Sequence, residues 1–67
     1  MTTLRLKELR EENDYSQKAL AELLQIKQNT YSQYENAVRE IPLEYLIKLS
    51  QIYSVSTDYI LGLRDDT

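Results

Sequence analysis

The sequence predicts an all-α domain of five short helices, and three observations lead there. The 67 residues include one Gly and one Pro, too little turn chemistry for a chain of strands and hairpins. Apolar residues recur at helical spacing through nearly the whole chain. Ser, Pro and Gly stand where helices begin and end. A chain this short buries only roughly 60% of the surface it exposes when unfolded, so it needs a staple or regular helix packing. It has no Cys and no His. That removes disulfides, thiolate nucleophiles, Cys-based zinc sites and the commonest general base. Helix packing, helped by self-association, is what is left.

The first helix is expected from Thr3, a candidate N-cap, to about Glu12, with Leu4, Leu6 and Leu9 on its apolar side. Asn13-Asp14 interrupts it, and Tyr15 is a candidate core residue on the link. Ser16 caps a second helix with Leu20, Ala21, Leu23 and Leu24 as its apolar stripe. Gln25-Ile26 reads as a tight turn with an apolar anchor. A third helix, about Gln28 to Asn36, sets Tyr31 and Tyr34 on one face. Ala37 to Ile41 is a loop, and Pro42 suits the first turn of a fourth helix. There Leu43, Leu46, Leu49 or Ile52, and Tyr53 share a face. Ser54-Val55 turns the chain, Ser56 caps a fifth helix through Leu61, and Gly62 stops it. Residues 1–63 are read as a single domain and 64–67 as a short acidic tail. Each helix is too short to be stable alone, so packing must hold them.

Eight Lys plus Arg against eleven Asp plus Glu give a net charge of −3, with a pI near 4.8. That balance counts against an obvious polyanion binder, since nucleic-acid modules are usually basic. No stretch approaches the roughly eighteen apolar residues of a membrane span, and mean hydropathy is −0.56. Met1 to Arg5 does not lead into a signal-peptide core. The expected setting is the cytoplasm, with no membrane partner.

Residues 16 to 36, SQKALAELLQIKQNTYSQYEN, carry the strongest signal. A helix, a short turn and a second helix follow one another. Small Ala21 stands where two helices would cross closely, and Leu20, Leu24, Ile26, Tyr31 and Tyr34 would fill the wedge between them. This segment is part of a longer run that closely mirrors three stretches: LREExxxSQxxLAxxL over Leu9 to Leu24, TxSxYE over Thr30 to Glu35, and PxExLxKLxxxYxVSxDYLLG over Pro42 to Gly62. The pattern resembles the lambda repressor-like (phage-repressor-like) helix-turn-helix family of bacterial and phage transcription regulators. The likeness covers roughly residues 4 to 63, with the motif at about 17–36 formed by helices 2 and 3.

The resemblance implies that helix 3 lies in the major groove of double-stranded DNA, its N-terminal residues on base edges. With Tyr31 and Tyr34 inward, Gln28, Asn29, Ser32, Gln33 and Asn36 project outward together. An amide can pair bidentately with adenine N6 and N7, so Gln28 and Gln33 are the leading base readers, with Asn29 and Ser32 next. Gln17 resembles the family's phosphate-contacting residue at the start of the motif, where backbone N–H groups also attract anions. Lys27, Asn36 and Arg39 are candidate phosphate contacts, which position without reading sequence. The family also often pairs an Arg of helix 1 with the Glu ending the YE element, here Arg10 and Glu35. For the outward face, the plainer alternative is a solvated helix surface; for Arg10, an unpaired surface Arg.

Three positions depart from the family pattern. Gln25 and Ala37 stand where Gly is frequent, so each must take a left-handed conformation, at about 1–2 kcal/mol, or the turn must change. Asn36 also tolerates that conformation. Lys27 stands where Ser or Thr commonly caps the recognition helix, leaving its first N–H groups without a side-chain acceptor.

From Ser16 to Pro42 the charges balance: Lys18, Lys27 and Arg39 against Glu22, Glu35 and Glu40. If Arg10 neutralises Glu35, the presumed DNA face is mildly positive. Few phosphate contacts imply a shallow salt slope and weak non-specific binding. Affinity then requires a homodimer on a palindromic operator, reading half-sites about 34 Å apart. Ile60, Leu61, Leu63 and Ile52 or Tyr59 are candidates for a dimer patch on the C-terminal helices; closing the domain's own core is the other reading of the same residues. The leading function is a sequence-specific DNA-binding regulator of repressor type. The alternative is a protein-interaction or antitoxin module on the same fold. No catalysis, cofactor, metal or small-molecule ligand is expected.

Overall fold

A computed structural model describes residues 5–65 as five α-helices, with no strand among the described residues. They are α1 (Leu6–Glu12), α2 (Gln17–Leu24), α3 (Gln28–Glu35), α4 (Leu43–Tyr53) and α5 (Thr57–Ile60). The expected Thr3 cap and Leu4 lie outside the described residues. Within them α1 begins at Leu6, and Arg5 occupies the N-cap without a capping side-chain bond. The Arg5 N–H instead donates to the Ile60 carbonyl at 2.9 Å, tying the start of α1 to the end of α5.

The core draws on every helix: Leu6 and Leu9, then Leu20, Ala21 and Leu24, then Tyr31 and Tyr34, then Leu46, Leu49 and Tyr53, and finally Ile60. Fully burying one Leu- or Ile-sized side chain contributes about 1.5–3 kcal/mol, and no helix here could persist without that packing. α2 packs on α3, and α4 on α5. Tyr15 and Ile26 lean on this core from the two links flanking α2.

Two apolar residues fall elsewhere than expected, and a third decides between two readings. Leu23 is exposed, because it lies about 100° around α2 from Leu24 and off the Leu20–Ala21–Leu24 stripe. Leu43 is exposed as well, in the uncovered first turn of α4 ahead of Leu46. Ile60 is completely buried and closes the domain's own core, so it is unavailable to a dimer patch. Leu61, Ile52 and Tyr59 are half-buried against the same core, leaving Leu63 the exposed member of that group.

The helix ends explain how a chain with one Gly turns so often. After each helix a residue enters the left-handed region: Asp14 (φ 60°), Gln25 (60°), Ala37 (59°), Ser54 (56°) and Gly62 (77°). The following N–H then reaches back over the last turn. Tyr15 donates to Arg10, Ile26 to Ala21, Val38 to Gln33, Val55 to Ser50 and Leu63 to Asp58, all at 2.9–3.0 Å. These bonds satisfy carbonyls that the helix itself leaves open. Four of the five left-handed residues carry a side chain, at a cost of about 1–2 kcal/mol where no local bond offsets it. The third helix therefore ends at Glu35; Asn36 keeps φ −90°, and Ala37 makes the left-handed step.

Candidate nucleic-acid interface

The interface is built from the start of α2 outward. Ser16 Oγ accepts from the Ala19 N–H at 3.0 Å and starts α2. Gln25, at φ 60° and ψ 42°, reverses the chain, and Ile26 returns to the core. Lys27 is extended (φ −72°, ψ 145°) and gives α3 no side-chain cap. The first N–H groups of α3 therefore have no side-chain acceptor there.

Tyr31 and Tyr34 are buried beneath α3, and their rings set its rotation. At 100° per residue, Gln28, Asn29, Ser32, Gln33 and Asn36 share the opposite side. Gln28, Asn29 and Asn36 are exposed, and Ser32 and Gln33 are half-buried. Asn36 Nδ2 donates to Ser32 Oγ at 3.3 Å, joining two of these side chains. Lys27 and Arg39 are exposed at the two ends of the face. The loop after α3 is pinned there, since the Val38 and Arg39 N–H groups donate to the Gln33 carbonyl at 2.9 and 3.3 Å. Val38, which the sequence reading passed over, is left exposed beside this face. Its sequence signal is an aliphatic residue beside the charged Arg39-Glu40 step of the loop.

A charge network borders the face at Glu35. Arg10 Nε and Nη2 donate to the two oxygens of Glu35, both at 3.0 Å, and Nη1 donates to the Tyr15 carbonyl at 3.1 Å. The Glu35 side chain is 2% exposed and that of Arg10 14%. Fork-to-fork geometry of this kind is the strongest form of the pair. Burial pushes the Glu35 carboxyl up, but the Arg10 guanidinium, the Tyr31 phenol and the Gln17 amide outweigh it and hold the group below its ordinary 4.5. The Tyr31 hydroxyl interacts with this carboxylate without meeting regular hydrogen-bond geometry, and burial drives its own pKa strongly up. The network thus joins α1, the α1–α2 link and the end of α3.

Gln17 is part of the same network. Its Nε2 donates to Glu35 Oε1 at 3.3 Å, so the amide faces the ion pair of its own domain. No spacing in the sequence signals that bond. The structure therefore brings Gln28, Asn29, Ser32, Gln33 and Asn36 onto one side, flanks them with Lys27 and Arg39, and ties Gln17 to Glu35. With Glu35 neutralised by Arg10, this side is amide, hydroxyl and two cations. Among the described residues no His, Cys, Asp or Glu cluster could hold a metal ion. No helix there is long and apolar enough to cross a membrane.

Comparison with known proteins agrees with the architecture. The family model described as Helix-turn-helix matches residues 6–60. The chain is 50% identical over 58 residues to the HTH-type transcriptional regulator ImmR of Bacillus subtilis, covering 87% of this chain and 46% of that protein. It is 42% identical over 62 residues to the uncharacterized HTH-type transcriptional regulator YobD of the same organism, covering 92% and 55%. It is 44% identical over 57 residues to YonR, an SPbeta prophage-derived uncharacterized HTH-type transcriptional regulator of B. subtilis, covering 85% and 53%. The chain spans about half the length of these relatives. Fold, motif and match together assign the chain to the lambda repressor-like helix-turn-helix family.

Proposed function

We propose that this protein is a sequence-specific DNA-binding transcriptional regulator of repressor type, acting in the cytoplasm as a homodimer on a palindromic operator. The carrying observation is the polar side of α3, whose amides and hydroxyl are held outward by two buried Tyr side chains. Gln28 and Gln33 read base edges, with Asn29 and Ser32 beside them, and Lys27, Asn36 and Arg39 contact phosphates. The uncapped N–H groups after Lys27 add an anion-attracting end to the same helix. Gln17 reaches a phosphate only by sharing or releasing its bond to Glu35. Val38 adds an aliphatic contact for a thymine methyl group or a sugar. Similarity to the SPbeta prophage-derived YonR supports a phage or mobile-element role. The role is one of binding rather than catalysis.

Selection of bound sites from random duplex DNA, at low and moderate salt, tests this reading. A palindromic consensus with half-sites about 34 Å apart is expected. Gln28→Ala and Gln33→Ala should each relax preference at a defined base pair, by about 1–3 kcal/mol. Absence of any enrichment above background would sink the DNA reading and favour a protein-interaction or antitoxin module.

A further inference from the structure

Among the described residues, five large apolar side chains stay exposed: Leu23, Val38, Leu43, Ile47 and Leu63. Leu43 and Ile47, 68% and 43% exposed, lie one turn apart on α4. Beside them on the same helix are Glu44 and Lys48, again one turn apart, exposed and of opposite sign. Neither forms an ion pair with another described residue. None of the four belongs to the polar side of α3.

An apolar pair next to a charge pair, both at four-residue spacing, is complementary to itself in one orientation. Let two copies of α4 run antiparallel about a two-fold axis. An axis at position 45 sets Leu43 against the partner's Ile47, and Ile47 against the partner's Leu43. An axis at position 46 sets Glu44 opposite the partner's Lys48, and Lys48 opposite the partner's Glu44. The two centres differ by one residue, about 1.5 Å along the helix, so one axis serves both sets. In a parallel arrangement the two-fold runs along the helices and leaves each copy's Glu44 and Lys48 on opposite edges of the seam, so neither charge meets its complement. A shallow groove of about 310 Å³, lined by Leu23, Lys48, Gln51 and Ile52, continues the surface beyond Lys48.

We propose that the outer face of α4 is a homodimer surface, on which a second copy docks antiparallel through Leu43–Ile47 contacts flanked by Glu44–Lys48 ion pairs. This deepens the two-fold reading above and rests on it for its role. It moves the dimer surface from the α5 region, where Ile60 is buried, to α4. The patch is small, so the free protein dimerises weakly, and two DNA half-sites reinforce the contact by raising the effective concentration.

Sedimentation velocity of the 67-residue chain, over a range of concentrations at low salt, tests the proposal. A concentration-dependent monomer–dimer equilibrium is expected. Glu44→Lys and Lys48→Glu should each weaken it by roughly tenfold, because both ion pairs become repulsive. The combined reversal should restore it, while circular dichroism shows all three variants folded. A chain monomeric at every concentration overturns the proposal, as do single reversals without effect or a combined reversal no tighter than either one. Site selection that enriches nothing, alongside the expected sedimentation pattern, strikes the DNA reading and leaves the α4 surface in place.

Discussion

Two Arg–carboxylate pairs join distant parts of this chain, and they are built in opposite ways. Arg10 and Glu35 meet through two parallel bonds of 3.0 Å, with side chains 14% and 2% exposed. Gln17 and the Tyr15 carbonyl complete their coordination. Arg5 and Asp65 meet through one shorter bond of 2.8 Å, with Asp65 fully exposed. Arg5 also sits 4.4 Å over the Tyr59 ring. The shorter bond is the weaker link. Water solvates either member of the outer pair when the other leaves, whereas a member of the inner pair is stranded. The inner pair also holds α1 against the helix proposed to read DNA, while the outer one fastens the two ends of the described chain.

The largest effect expected from this contrast comes from Glu35→Ala. Removing the carboxylate leaves the Arg10 guanidinium mostly buried and deprives Gln17 of its acceptor, so stability should fall by about 3 kcal/mol in urea unfolding. A loss under about 1 kcal/mol would mean that water reaches Arg10 freely and that the two pairs are alike.

Acid should expose the same difference with no mutation at all. Glu35 is held below its ordinary 4.5 in the folded state. Its stabilisation is therefore complete above the ordinary carboxylate range and is lost as pH falls through the depressed folded value. Between pH 6 and about pH 3, wild type should lose more stability than Glu35→Ala, and the gap between them should narrow. Parallel pH profiles would remove Glu35 as the titrating group.

The smallest effect is reserved for Asp65→Ala. The urea midpoint should stay within measurement error of wild type, because Arg5 keeps the Tyr59 ring and water. A shift approaching that of Glu35→Ala would erase the contrast.

Much of the fold was legible because helices are local objects. The Ser16 and Ser56 caps each accept from the N–H three residues on, at 3.0 Å. The turn at Gln25 is left-handed without a glycine, and the inward direction of Tyr31 and Tyr34 follows from their spacing. Periodicity was less able to rank apolar residues within one helix. Leu23 and Leu43 look as fit for the core as Leu24 and Leu46, and only the positions of neighbouring helices separate them. The polar side of α3 was legible as the complement of two tyrosines. The bond from Gln17 to Glu35 was not, because the two residues are 18 positions apart and no local rule connects them.

The sequence by itself determined five helices, the Ser16 and Ser56 caps, the Gly62 stop, and one polar helical side. Those properties depend on neighbours within a turn or two, where hydrogen bonds and 3.6-residue spacing decide. Tertiary structure alone decided which leucines face water, that Ile60 completes the core, and that Arg5 spans 60 positions to Asp65. Each of these outcomes depends on how helices distant in the chain close over one another, and residue type and spacing do not encode that closure.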